Sequence, residues 1–282
     1  MKNYSIFLSL FALIAVSCNK EETPKAVTDA PQEIILNVNG AGIEADVQTR
    51  VTAVSSIPTS LYFAGTKGSG SSQTSKWSST SKSVSSNSIS TGYYQTNPAT
   101  AYNYFLSNVS MSSSASGCTI TADGSSTDVI AGVTKASTSV NPSVTLNHIF
   151  ARTGSVSLTS EDSSYSISGA SITIQSTSGT GYKGTYNIYS GTWSNVTALS
   201  ATSLTSSSDL YLVPGTYTIS GSCTLSKGDY SKSISGSTTV TLTAGKINNI
   251  GIKFKGGDAQ QIVVSVTLNS WGTTSVSGTI GG

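Results

Sequence analysis

Residues 216–225 read Thr-Tyr-Thr-Ile-Ser-Gly-Ser-Cys-Thr-Leu, with apolar side chains confined to alternate positions. The positions on the apolar side are Tyr217, Ile219, Cys223 and Leu225. A period of two is typical of a β-strand with one buried face. The pattern therefore predicts a strand here and makes Cys223 a small buried hydrophobe.

The same alternation recurs along the chain between clusters of Gly, Ser, Asn and Pro, whereas no window keeps a helical period of 3.6 residues. The other predicted strands are residues 33–38, 60–64, 102–107, 119–122, 143–146, 154–158, 170–175, 185–190, 210–213, 237–242, 250–254 and 262–268. Residues 65–89 are nearly all Ser, Thr, Gly and Lys and are predicted to form a long hairpin or surface loop. Many short strands indicate an all-β protein built of β-sandwiches.

The composition restricts the kind of partner that the chain can bind. Charged residues make up 10% of the chain, against about 25% in typical soluble domains. The surface is therefore expected to consist mostly of Ser, Thr, Asn and Gly. A formal net charge of +2 without a basic cluster argues against nucleic acid as a partner.

The first residues have the order of parts of a bacterial export signal. Lys2 precedes an apolar run over 4–16 that is too short to span a membrane permanently, and the run ends in Ala-Val-Ser-Cys. This ending is typical of a lipobox. We predict that residues 1–17 are a signal peptide and that Cys18 is acylated; an ordinary signal peptide with an incidental cysteine is the alternative.

A polar tether follows Cys18 and leads to the first predicted strand. The residues up to Pro31 are rich in Thr, Pro, Ala and charge, so they cannot bury a core. In the strand at 33–38, Ile34, Leu36 and Val38 share one face. The glycine-bearing stretch 40–49 then ends at Arg50, a suitable site for proteolysis.

The mature length predicts two domains of ordinary size. We assign residues 18–50 to a lipidated tether with a cleavable N-terminal strand, 51–147 to an N-terminal β-sandwich, and 148–257 to a C-terminal β-sandwich. The remaining residues, 258–282, form a C-terminal strand segment.

Catalysis is not expected. His148 is the single histidine and has no serine elbow to serve, and the adjacent acidic pairs Glu21-Glu22 and Glu161-Asp162 lie in polar, solvated contexts. No spacing typical of a zinc site or a phosphate-binding loop occurs, so we predict no enzyme activity, no cofactor and no metal. Cys118 and Cys223 either form a disulfide or remain free and buried.

The aromatic residues leave two interpretations open. The chain has 13 tyrosines and three tryptophans, Trp77, Trp193 and Trp271. They either build a platform for stacking sugars, as an adhesin needs, or fill and cover the β-sandwiches.

The order of these parts resembles the fimbrillin family, the subunits of type V pili. The shared parts are Cys18, Lys20-Glu21-Glu22, the strand at 33–38, Thr49-Arg50, His148-Ile149-Phe150-Ala151-Arg152 and the Trp-ended segment 262–271. The resemblance implies two transthyretin-like β-sandwich domains in tandem. It also implies a lipoprotein at the outer membrane and cell surface, and a fimbrium after maturation.

By the same resemblance, an arginine-specific protease cuts between Arg50 and Val51, and the chain polymerises by donor-strand exchange with copies of itself or related pilus subunits. The implied donor strand carries Ile262, Val264, Val266, Leu268 and Trp271. By pattern alone, residues 262–268 are equally the last strand of their own domain, in which case either 276–280 or no strand is the donor.

Three roles remain open at this stage. The chain is a structural pilus subunit, or a tip or free-standing adhesin for a host or bacterial surface ligand, or a pilus anchor whose N-terminal strand stays uncut.

Overall fold

A computed structural model describes residues 30–40, 54, 56–95, 100–205, 209–255, 261–270 and 275–276, the last two ranges by their backbone alone. All of the regular elements in these ranges are β-strands, so the all-β prediction is confirmed. Within the described ranges there is no helix long and apolar enough to cross a membrane.

Twenty strands follow one another along the described chain. They are β1 (Gln32–Gly40), β2 (Ser60–Lys67), β3 (Thr74–Ser83), β4 (Ser88–Gln95), β5 (Tyr102–Ser107), β6 (Ser112–Ser114), β7 (Gly117–Asp123), β8 (Ile130–Ser137), β9 (Ser143–His148), β10 (Ala151–Ser160), β11 (Ser166–Ser176), β12 (Lys183–Asn187), β13 (Thr192–Thr197), β14 (Thr202–Ser203), β15 (Tyr211–Leu212), β16 (Gly215–Lys227), β17 (Tyr230–Leu242), β18 (Lys246–Lys255), β19 (Gln261–Ser270) and β20 (Ser275–Val276).

The N-terminal half forms a sheet of seven strands in the order β3-β2-β5-β8-β9-β1-β4. Its outermost strands, β3 and β4, are consecutive in sequence and joined by a two-residue turn at Ser86 and Asn87, both with positive φ. This turn type suits the right-handed twist of strands. Because the turn joins the two ends of the sheet, the sheet curls around one apolar cluster, called here the N-terminal cluster.

The C-terminal half contains two sheets around a second apolar cluster. One has the order β15-β10-β18-β19-β20 and the other β14-β11-β16-β17. Tyr217 lies at the start of β16, and its buried hydroxyl, which has a single proton to donate, lies 2.7 Å from the Val213 carbonyl oxygen and 2.8 Å from that of Gly181. Burial raises the pKa of this phenol, so it stays protonated as a donor.

The outward face of the β16–β17 hairpin carries the expected hydroxyl surface. Ser and Thr pair across the two strands, as in Thr216 opposite Thr241 and Thr224 opposite Ser233. On the inward face, Tyr217, Ile219, Cys223 and Leu225 are buried, as their alternation predicted.

A fourth sheet joins the two halves. Its order is β13-β12-β7-β6, so the hairpin of Lys183–Thr197 pairs with a strand at Gly117–Asp123. A third apolar cluster beneath it takes residues from both sides of position 148, including Phe105, Ile120, Phe150 and Ile188. The division into domains at 148 stays a prediction, but strands from both sides of it share this sheet.

A buried ion pair joins Arg152, in β10, to Asp209, which lies just before β15. Arg152 Nε lies 2.5 Å from Asp209 Oδ1, and Arg152 Nη2 lies 2.7 Å from Oδ2, a bidentate arrangement. The two side chains are 5% and 7% exposed. The backbone beside them pairs as well, since Thr153 N–H donates to the Leu210 carbonyl at 2.9 Å. A buried charge pair of this geometry is costly to break from one side.

We expect Asp209→Ala to lower the free energy of unfolding by about 3–5 kcal/mol, because it leaves the Arg152 guanidinium buried without its partner. The matched control is Glu161→Ala, which breaks the surface pair of Glu161 with Lys255 at 3.2 Å. That pair is solvated, so the control should cost less than about 1 kcal/mol. Denaturant unfolding measures both, and equal losses would contradict a structural role for the buried pair.

Candidate functional site

Strand β1 is an inner strand of its sheet although it comes first in the described chain. It runs parallel to β9, with Asn37 opposite Ser143 and Gly40 opposite Leu146. On the other side it runs antiparallel to β4, with Leu36 opposite Ile89. Its removal would therefore leave a groove with unpaired backbone groups on both walls.

One face of β1 completes the N-terminal cluster. Ile34 and Leu36 are fully buried and Val38 is 1% exposed, while Ile35 on the opposite face is 38% exposed. These three side chains are among twelve buried members of the N-terminal cluster. One strand thus supplies a quarter of the apolar side chains of this cluster, as the alternation at 33–38 predicted.

Glu33, at the start of β1, is held by an irregularity in β4. Gly92 N–H donates to Glu33 Oε1 at 2.9 Å, and the Ser90 hydroxyl donates to the same oxygen. Between them, the Thr91 hydroxyl donates to the Ile34 carbonyl at 2.7 Å. The hydrogen bond from Ser90, then that from Gly92, lowers the pKa of the Glu33 carboxyl, and the Lys82 ammonium adds to the effect. We call Ser90, Thr91 and Gly92 the bulge of β4.

Little in the amino-acid pattern predicts this contact. A glycine within a strand often marks a bulge, and Gly92, at φ +70°, does so in β4. The stretch Ser-Ile-Ser-Thr-Gly lacks apolar alternation long enough to reveal a strand, so neither β4 nor its role was predicted.

Val54, shortly after the predicted cleavage position, is hydrogen-bonded to the folded chain. Val54 N–H donates to Asp128 Oδ2 at 2.9 Å, and the same carboxylate oxygen lies 3.0 Å from His148 Nδ1. Both side chains of the His148–Asp128 pair are almost completely buried. In this placement His148 supports the carboxylate that holds Val54. Cys18, Arg50 and Val51 lie outside the described residues.

The chain contains two arginines, Arg50 and Arg152. Arg152 is 4% exposed and carries the bidentate pair with Asp209. A protease that requires arginine cannot reach Arg152 in the folded chain, because cleavage needs an accessible, extended backbone.

The predicted donor residues Ile262, Val264, Val266 and Leu268 belong to β19. This strand pairs antiparallel with β18 over its whole length, from Lys246 opposite Ser270 to Lys255 opposite Gln261. Its other edge meets β20 over two residue pairs. Residues 262–268 therefore form a strand of their own half in this structure, and their role as donor stays a prediction. Trp271 lies outside the described residues.

The aromatic residues that the structure describes serve mainly as core. Trp77 is 7% exposed and stacks on Tyr104 with ring centroids 6.1 Å apart. Trp193 packs on Phe150 and Tyr186 at 5.2 and 5.1 Å. These contacts favour the second interpretation, in which tryptophan fills the sandwiches.

The cysteines and carboxylates show no arrangement for chemistry in the described part of the chain. Cys118 and Cys223 are free and buried in different clusters. Burial raises the pKa of the Cys118 thiol to about 11, which leaves it unreactive at neutral pH. Within the same ranges, no group of three or more His, Cys, Asp or Glu is placed to hold a metal ion. The absence of enzyme activity stays a prediction.

No protein-family model and no curated protein matches the chain. Solved structures with a similar fold include a candidate cell adhesion protein from Bacteroides uniformis, at 12% identity and TM-score 0.47, which covers 87% of this chain and 99% of that one. A fimbrial protein from Bacteroides vulgatus has 10% identity and TM-score 0.47, with coverage of 84% and 99%. A candidate cell adhesion protein from Parabacteroides distasonis has 11% identity and TM-score 0.49, with coverage of 83% and 96%. At these values, function has to be argued from this chain's own residues.

We expect Leu36→Ala to lower the free energy of unfolding by about 2–5 kcal/mol, because it leaves a cavity among closely packed side chains. Ile35→Ala, one residue away on the exposed face, should change it by less than about 1 kcal/mol. Thermal or denaturant unfolding of both variants measures the difference. Similar losses would mean that β1 is not seated with this face inward.

The hydrogen bonds of Glu33 should make the free energy of unfolding depend on pH. Its pKa is lowered from 4.5 in the folded chain, so the unfolded chain binds more protons as the pH falls below that value. The stability that Glu33 contributes is therefore present above pH 4.5 and is lost as the pH falls through the lowered pKa. Glu33→Gln removes the titration, and the difference in unfolding free energy between the two proteins should shrink on acidification. A difference that is constant from pH 7 to about pH 3 would contradict this assignment.

Proposed function

We propose that this chain is a structural subunit of a type V pilus. Cys18 is acylated and carries the precursor to the outer membrane and cell surface. An arginine-specific protease then cuts after Arg50, and the chain polymerises when its groove accepts a strand from another subunit. Two points support this proposal: the resemblance of the sequence to the fimbrillin family, and the position of β1 as an inner strand of its sheet.

The observation that carries the proposal is the connection of β1 to the rest of the fold. On its N-terminal side β1 continues into the predicted tether, and on its C-terminal side residues 41–53 link it to Val54. Arg50 lies within that link. One cut there breaks the covalent connection between an inner strand and the sheet that it completes.

Loss of β1 creates a need for a replacement strand. Burial of a large aliphatic side chain stabilises by roughly 1.5–3 kcal/mol, so Ile34, Leu36 and Val38 together contribute about 5–9 kcal/mol at most. Whole domains are stable by only about 5–15 kcal/mol. The unpaired edges of β4 and β9 add to the loss, and a strand from a neighbour restores both terms by β-augmentation.

The distribution of arginine supports a single maturation site. Arg152 is buried and paired, which leaves Arg50 as the one other arginine in the sequence. Thr49-Arg50 is also the position that the fimbrillin resemblance marks. The role is structural, with no enzyme activity and no cofactor.

We expect Arg50→Lys to resist an arginine-specific protease, while the wild-type chain yields a mature form that begins at Val51. The substitution keeps the positive charge, so it tests the specificity of cleavage and not the charge of the loop. Lys67→Ala, which removes a cation from the end of β2, is the control and should be cut like the wild type. N-terminal sequencing of the product provides the measurement.

Assembly is tested on the same material. The cleaved wild-type chain should form polymers visible by electron microscopy, and the Arg50→Lys chain should remain monomeric. A cleaved chain that stays monomeric argues for the tip or adhesin role. A chain that remains uncut on the cell surface within intact pili argues for the anchor role.

A further inference from the structure

The bulge of β4 contains more residues than the strand that it faces. Glu33 lies opposite Tyr94 and Ile35 lies opposite Ser90, so two steps along β1 correspond to four along β4. The extra residues turn the Gly92 N–H and the Ser90 hydroxyl toward one oxygen of Glu33. Both donors therefore bind the side chain at position 33 of β1, one residue before the first buried side chain of that strand.

Strand β19 has the same order of polar and apolar residues as β1. Glu33-Ile34-Ile35-Leu36-Asn37-Val38 corresponds to Gln261-Ile262-Val263-Val264-Ser265-Val266. Apolar residues follow at the first, third and fifth positions in both segments. The other candidate, 276–280, has Gly278 at its middle apolar position and so leaves the place of Leu36 empty.

We propose that the bulge of β4 sets the register of the incoming strand by binding a Glu or Gln side chain one residue before the first buried position. The occupant after maturation is Gln261–Ser270 of a second copy of this chain, with Gln261 in the place of Glu33. Ile262, Val264 and Val266 then replace Ile34, Leu36 and Val38. This inference rests on the proposed function and adds the partner, its direction and its register.

The chemistry of glutamine suits these donors. The Oε1 atom of Gln has the same reach as that of Glu and accepts the same two hydrogen bonds. A slip of one residue would place either Ile262 or Gln260 against the donors, and in both cases it would turn every buried side chain outward. The bulge therefore excludes the slip that brings Ile262 to the donors, and the alternation of apolar residues excludes the slip that brings Gln260 there.

Two differences separate the original strand from its replacement. Glu33 is ionised, so its bonds to the bulge are charge-assisted and strengthened by the Lys82 ammonium, whereas Gln261 is neutral. In its own half, β19 has a full-length neighbour on one side and two paired residues on the other. In the groove it would gain β4 and β9 as neighbours on both sides.

Peptide exchange into the cleaved protein tests the register. Full-length protein is cut after Arg50 and mixed with a fluorescent synthetic peptide of residues 260–270, and displacement of the β1 fragment is followed. Gln261→Ala in the peptide should weaken binding about tenfold, since it leaves two donors without their acceptor. Ser265→Ala, on the outward face of the same peptide, should bind within about twofold of the wild type.

A variant of the protein completes a double-mutant cycle. With Ser90→Ala protein, the difference between the wild-type peptide and the Gln261→Ala peptide should shrink, whereas Ser81→Ala on β3 should leave it unchanged. Equal binding of the Gln261→Ala and wild-type peptides to wild-type protein overturns the register. Failure of the peptide to bind, while the cleaved protein still polymerises, overturns the occupant and leaves the pilus role standing. If the cleaved protein does not polymerise, the proposed function itself fails.

Discussion

The N-terminal half depends on the double-sided pairing of β1. Its backbone bonds to β4 and β9, and its inward face gives Ile34, Leu36 and Val38 to the N-terminal cluster. A strand in this position contributes sheet continuity and apolar packing at once, so the two terms are lost together. A sheet edge strand could detach with much smaller consequences. A strand that replaced β1 would have to satisfy both walls and the cluster at once.

The contacts that join the two halves of the protein are separate from those of β1. The hairpin at Lys183–Thr197 extends the sheet of β6 and β7 and so joins the two halves, while the Arg152–Asp209 pair ties β10 to the residues before β15 within the C-terminal half. These contacts do not involve β1. Removal of β1 would therefore leave these contacts in place.

Much of the fold was accessible from local pattern. Strands with clear alternation, such as β16, and those with strong apolar content, such as β5, were predicted close to their observed bounds. By contrast, β3 lies in the stretch 65–89 that was predicted to be a hairpin or loop, because seven of its ten residues are Ser or Thr. Most of β4 lies beyond that stretch and was not predicted, because its alternation is too short. β8 was missed because Ile-Ala-Gly-Val is a short run without alternation. The pairing of β12 with β7 joins residues that are 60 to 68 positions apart in the sequence, and no local pattern encodes such a partner.

The candidate site could be predicted only where it depends on local sequence pattern. The apolar face of β1 and the position of Arg50 follow from the sequence alone. The hold on Glu33 and the anchoring of Val54 by Asp128 depend on atoms that only the folded chain brings together.

The placement of arginine bears on what would follow the proposed maturation. Thirteen of the fifteen basic residues are lysine, and Arg152 is buried and paired with Asp209. After the proposed cut behind Arg50, the folded subunit would offer an arginine-specific enzyme no further substrate. A filament built from such subunits would then persist beside that enzyme, because lysine carries the remaining positive charge and cleavage would stop after one step.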